Sequence, residues 1–354
     1  MMEPINAEGL QLVRVSEDRV VLKRGLQEVL FEGPEIASVS EAVLQLADGT
    51  RSAAECVSAF PGPMRPIVEQ VLQRLLRLRM LEPQTETNSS ATLDREQEAF
   101  YWNFGPVAQK APARLAATRV LVLGTNRISL AIVHSLLELG VGEVTLAGQR
   151  ILDHLAPCAA DLQRSQASAD VRLRRLVEAP PPDDWMNYEL ICATSEWGEV
   201  DVLLESNRIA LAARRPYLPV WFSDLVGYLG PLNIPFETPC FRCFGLRRDA
   251  NDPHYEIGRI VRQQSSAQRT QKTGAGLLPP MARILGEVAA LEIAKHLGGF
   301  VPSDTLGRVI ELNLISFQGL VRRLLKVPRC PECSDLTFRN PKAITIGPQI
   351  PTET

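Results

Sequence analysis

The sequence predicts an α/β protein in two parts, a small winged-helix-like module followed by a larger, mainly parallel α/β domain with a structural metal site. Three observations lead there. Short alternating strands and then three amphipathic helices fill residues 1–82; apolar strands alternate with helices from residue 118 onward; four cysteines fall into two CxxC pairs.

In the first module, Leu10–Val15, Arg19–Arg24 and Glu28–Phe31 read as strands separated by Glu-Asp and Arg-Gly turns. Pro34–Ala47 reads as a helix with Ile36, Val39, Val43 and Leu44 on one side, stopping at Asp48-Gly49. Ser52–Phe60 follows, with Thr50 as the expected cap. Pro66–Met80 begins with proline in its first turn and spaces Ile67, Val68, Val71, Leu72 and Leu75 helically. Residues 83–95, PQTETNSSATLDR, read as a linker.

The second domain, expected over 96–339, starts its sheet with TRVLVLG (Thr118–Gly124), an apolar strand running into glycine. The helix Leu130–Leu139 and the strand Glu143–Leu146 come next. Val171–Leu176, Tyr188–Ala193 and Arg215–Trp221 are further strands, with the helix Val200–Ala213 before the last. This alternation implies a parallel sheet with a crevice at its strand ends. Residues 247–279 are polar and read as a long crossing segment, Pro280–Leu297 as a helix, Arg308–Leu314 as a strand, and 340–354 as a loose tail.

The 354 residues are 45% hydrophobic and 22% charged, which excludes long disorder, and no apolar run approaches the roughly 18 residues of a membrane span. A net charge of -3 argues against a nucleic-acid binder that works by bulk charge. The start MMEPINAEGLQLVRV has no basic-then-apolar signal, and seven cysteines are an odd number for a disulfide scaffold. The expectation is a cytoplasmic protein with no membrane and no nucleic-acid partner.

Cys240-Phe-Arg-Cys243 and Cys330-Pro-Glu-Cys333 each aim two sulfurs from one tight turn, and together they complete a tetrahedral thiolate shell for zinc. A redox CxxC normally stands alone at a helix start. With every position filled by sulfur the ion staples the fold and does no chemistry. Of the other cysteines, Cys192 lies in the apolar strand Leu190–Ala193 and Cys56 on an apolar helix face, both expected as buried fillers. Cys158 follows His154 by four residues and is the remaining candidate nucleophile. The four histidines, His134, His154, His254 and His296, show no ligand spacing.

The run Thr118–Val144, then SNRIALAARRPYLPVW (Ser206–Trp221), GPLNIPFETPCFRCF (Gly230–Phe244) and CPEC (Cys330–Cys333), resembles in order the ThiF-like superfamily, relatives of ubiquitin-activating enzymes. The resemblance covers roughly 96–335 and implies a Rossmann-like, ThiF-type domain that adenylates a C-terminal carboxylate with ATP. The chain departs from that pattern at the catalytic places. The glycine loop reads Gly124-Thr-Asn126-Arg-Ile-Ser129 and keeps only its first glycine. Leu146-Ala147-Gly148-Gln149-Arg150 has no acid for a ribose, Asp153-His154-Leu155-Ala156 replaces the Asn-Leu-x-Arg-Gln signature, and the central Thr-Asp is Thr194-Ser195. Gly124, Asn126 and Ser129 thus form a degenerate nucleotide loop, and ATP use is not expected.

Residues 10–82 resemble the peptide-recognition element of ribosomal-peptide biosynthesis, on the βββααα order, the Asp48-Gly49-Thr50 turn and the ending Leu-Arg-Leu-Arg-Met-Leu (76–81). Placed before a degenerate ThiF-like domain, this architecture resembles the leader-binding partner proteins of YcaO-dependent azoline-forming cyclodehydratases. The resemblance implies a leader strand added beside Gln27–Phe31 and lying against Pro66–Met80. Val29 and Phe31 share one face of that strand and Leu30 the other. Val71 belongs to the wall, and Arg74 and Arg77, one turn apart, can meet an acidic leader. Residues 1–82 hold 9 basic and 12 acidic side chains, so any positive patch is local. A homodimer is implied by the same resemblance. Two other readings remain: a divergent ThiF-like adenylating enzyme acting on a peptide or carrier-protein C-terminus, and a winged-helix DNA binder using Arg74, Arg77 and Arg79.

Overall fold

The computed structural model describes residues 4–7, 9–25, 27–83, 95–148, 172–196, 200–223, 225–258, 260 and 276–334. The chain divides into two compact units, 1–109 and 110–354.

Unit 1 contains β1 (Pro4–Asn6), β2 (Gln11–Ser16), β3 (Arg19–Arg24), β4 (Gln27–Glu32), α1 (Ile36–Leu46), β5 (Asp48–Ser52), α2 (Ala53–Ser58), α3 (Arg65–Arg77), β6 (Glu82–Pro83), α4 (Arg95–Trp102) and α5 (Pro106–Gln109). β2, β3 and β4 form one antiparallel sheet with β3 central, and β1 pairs with β5 and β6 in another. Period-two alternation sends Val20 and Leu22 of β3 into a core shared with Val39 and Val43 of α1 and Val68, Leu72 and Leu75 of α3. The expected cap of α2, Thr50, is corrected. Its hydroxyl and N–H are both held by Asp48 within β5, and Ser52 caps the helix in a reciprocal box with Glu55. The sequence reading starts the second domain at Glu96, whereas α4 falls in unit 1. There the Arg24 guanidinium stacks on the ring of Trp102 and Tyr101 is buried.

Unit 2 contains α6 (Ala111–Ala116), β7 (Arg119–Leu123), α7 (Arg127–Glu138), β8 (Glu143–Ala147), β9 (Arg172–Leu176), β10 (Leu190–Ser195), α8 (Val200–Ala212), β11 (Tyr217–Ser223), β12 (Val226–Leu229), α9 (Phe241–Ala250), α10 (Pro279–Gly298), β13 (Arg308–Asn313) and β14 (Gln318–Arg323). Its eight-stranded sheet runs β14-β13-β12-β11-β10-β7-β8-β9. The five strands β11, β10, β7, β8 and β9 are parallel, and the other three continue antiparallel. Strand order therefore reverses between β7 and β10, which opens a crevice at their carboxyl ends. α10 packs closely on α7 because residue 286 is glycine: a Cβ there would meet Ala131 Cβ and Ile128 O, both at 2.7 Å.

The predicted strands and helices of both units are present within a few residues. α9 occupies the first part of the expected crossing segment 247–279, and β1, β5, β6, α4, α5, α6, β12 and β14 were not anticipated. Residues 84–94 of the linker expected at 83–95, Cys158, His154 and the tail at 340–354 lie outside the described residues, while Pro83 ends β6 and Arg95 begins α4. No described helix is long and apolar enough to cross a membrane.

Candidate functional site

The four CxxC cysteines meet. Cys240 ends the loop before α9 and Cys243 sits in that helix's first turn; Cys330 and Cys333 come from the loop after β14. All four are buried, and their sulfurs lie within 4.8 Å of one another. Cys240 is 3.9 Å from Cys243 and 3.7 Å from Cys330, and Cys243 is 3.4 Å from Cys333. A tetrahedral shell with Zn–S bonds of about 2.3 Å has edges of about 3.8 Å, so the donor set and its spacing fit such an ion.

Backbone and side chains hold this cluster. Val327 N–H donates to Cys243 Sγ at 3.4 Å, and Arg247 donates to the carbonyls of Leu325 and Lys326. The Cys243 thiol is pulled down to about 7, chiefly by its hydrogen bond with Cys240. Asn207 of α8 accepts the Phe241 N–H and donates to the Glu332 carboxylate, bridging both knuckles. Burial raises the Glu332 carboxyl above its usual range.

At the sheet crevice, Gly124 has φ +106°, and a Cβ there would meet Thr194 Oγ1 at 2.6 Å, so glycine is required. Asn126 caps α7: its Oδ1 accepts the Ser129 N–H at 3.0 Å, while Ser129 Oγ accepts the Asn126 N–H at 3.0 Å. Asn126 Nδ2 crosses to Thr194 Oγ1 at 2.9 Å. Gly124, Asn126 and Ser129 are thus brought together as the sequence predicts, but the Asn126 amide is spent on the chain itself. Sequence reasoning passed over Glu196, which is buried and accepts the Arg127 N–H at 2.6 Å. Its signal was its place directly after Thr194-Ser195 at the end of β10.

In unit 1, β4 pairs with β3 and, among the described residues, with no other strand. Val29 and Phe31 pack on the core side, while Leu30 is 53% exposed and lies in register with Val21 and Val13 on the outer face. Gln27 is exposed at the strand's start. Arg74 and Arg77 are exposed on α3 and make no ion pair among the described residues. Val71, expected on the peptide wall, is only 3% exposed: its position on the apolar stripe turns it into the core, so it cannot meet a ligand directly. Burial pushes the thiols of Cys56 and Cys192 up, which makes both poor nucleophiles.

No protein-family model matches the chain, and no curated protein matches it significantly. Solved structures do. E. coli MccB with MccA-N7isoASN superposes at a TM-score of 0.68 with 13% identity, covering 94% of this chain and 99% of that one. E. coli MccB with AMPCPP and MccA gives 0.69, 13%, 94% and 100%. The heterocyclase TruD gives 0.62 with 20% identity, covering 95% of this chain and 43% of that one. At these identities the likeness establishes a shared fold: this chain is built on the fold of MccB, along its whole length, and of part of TruD.

Proposed function

We propose that this chain captures the leader of a ribosomally made precursor peptide on unit 1 and presents the core peptide to a separate YcaO-type cyclodehydratase for azoline formation. The observation that carries the reading is the outer edge of β4, which pairs with no strand but β3 among the described residues, in a module whose α3 displays Arg74 and Arg77 with no ion-pair partner among those residues. An extended peptide added there gains register from backbone hydrogen bonds and selectivity from side chains. The reading is supported by MccB structures that hold the peptide MccA, and by TruD being a heterocyclase. This chain spans 43% of TruD; in this reading the cyclodehydratase is a separate chain.

In this reading Cys240, Cys243, Cys330 and Cys333 hold a zinc ion that fixes the two knuckles, ATP is not used by this chain, and the protein works in the cytoplasm as a homodimer. Holding the leader raises the effective concentration of the core at the partner's active site.

A second reading has a specific observation behind it. The chain matches 99% of MccB, which is also known in complex with ATP. It makes the protein a divergent adenylating enzyme acting on a peptide C-terminus. The two separate in one experiment on the full chain: titration of a labelled precursor leader alongside ATP–pyrophosphate exchange with the whole precursor. Leader binding without exchange supports the first reading, and robust exchange supports the second.

A further inference from the structure

The N-terminus of α7 already carries an anion of its own. The Arg127 N–H donates to Glu196 Oε1 at 2.6 Å, and the Arg127 guanidinium lies 3.6 Å from Glu196 Oε2. The Glu196 side chain is 5% exposed. Two residues further on, the Ser129 N–H is taken by Asn126 Oδ1. These first-turn N–H groups are the donors a helix start otherwise offers to a phosphate, with the helix dipole behind them. They stand beside Gly124, at the strand-order reversal where folds of this kind seat ligands. A carboxylate and a phosphate oxygen compete for the same donors, and two anions that close repel.

We infer that Glu196 is the specificity-determining residue of this crevice: its carboxylate stands in for a bound phosphate and closes the start of α7 to nucleotides and other polyanions. Two features act together. Glu196 fills the anion seat at Arg127, and the Asn126 amide, bonded to Thr194, fills the approach above Gly124. The ligand class excluded is phosphate-bearing. The inference deepens the proposed function, since it gives a physical cause for the expectation that this chain leaves ATP to its partner.

The experiment uses the full chain, with inorganic pyrophosphate and Mg–ATP as probes in calorimetric titration and with acetate in thermal unfolding. Wild type takes up neither phosphate probe at millimolar concentration, and acetate leaves its melting temperature unchanged. Glu196→Ala binds pyrophosphate at least about tenfold tighter than wild type, and acetate raises its melting temperature by refilling the seat. Micromolar binding of Mg–ATP by wild type overturns the inference, as does a folded Glu196→Ala that gains neither effect. Should Glu196→Ala fail to fold, Glu196→Gln carries the test. It keeps an acceptor at Arg127 and removes the charge, and a gain of about threefold in pyrophosphate affinity is expected; no gain overturns the inference. A leader titration run in parallel keeps the outcomes apart: failure of wild type to bind any leader sinks the proposed function and leaves the pyrophosphate result standing.

Discussion

Asn207 Oδ1 accepts the backbone N–H of Phe241 at 3.0 Å, and its amide also donates to the Glu332 carboxylate, so one side chain on α8 ties together the two CxxC turns. Asn207 is fully buried. Asn207→Ala leaves the buried Phe241 N–H and the half-buried Glu332 carboxylate without that partner, at a cost of about 1–3 kcal/mol. Urea unfolding with the metal bound measures it. The same variant speeds loss of the metal to a competing chelator, because both sulfur turns lose their shared brace.

Elemental analysis of the purified chain is expected to find one zinc per chain. Cys330→Ser and Cys243→Ser each reduce this to a small fraction and lower the melting temperature by roughly 5 °C or more, since binding free energy at such a site is folding free energy. Thiolate ligands must be deprotonated, so acid releases the ion and neutral buffer with added zinc restores it.

Stability falls on mild acidification, in part through His296. Burial holds its folded-state pKa below the usual 6.5. The unfolded chain therefore binds a proton at this position before the folded chain does, and stability drops as pH falls through 6.5 toward the folded value. Above that window the effect vanishes. His296→Gln removes this part of the dependence, which chemical denaturation at pH 7.5 and pH 5.5 detects as a smaller difference between the two pH values.

Much of the architecture was legible because local chemistry and tertiary environment agree. Val120–Leu123 is apolar throughout and becomes the buried part of β7 running into Gly124; the two CxxC pairs read as one metal site across 86 intervening residues, and they converge. What was missed has physical causes. β14 exposes all six of its residues, so it carries no alternation to read. α9 has no apolar stripe, and its position follows from Cys240 and Cys243, a tertiary constraint. Thr50 and Ser52 are both good caps by type, and only Asp48's claim on Thr50 decides between them. Val71 belonged to an apolar stripe whose orientation toward the core, not toward a ligand, is fixed by packing. Glu196 fell one residue beyond the Thr194-Ser195 motif and became visible only when β10 was set beside α7.

The central claim is that unit 1 takes a guest strand on β4, steered by the arginines of α3. Fluorescence anisotropy of a labelled candidate leader peptide tests it directly against the full chain. The account predicts saturable binding that weakens about tenfold in the doubly exposed variant Arg74→Glu/Arg77→Glu and is abolished by N-methylation of alternate leader amides. Undiminished binding of the N-methylated leader, or equal affinity for both proteins, would contradict it.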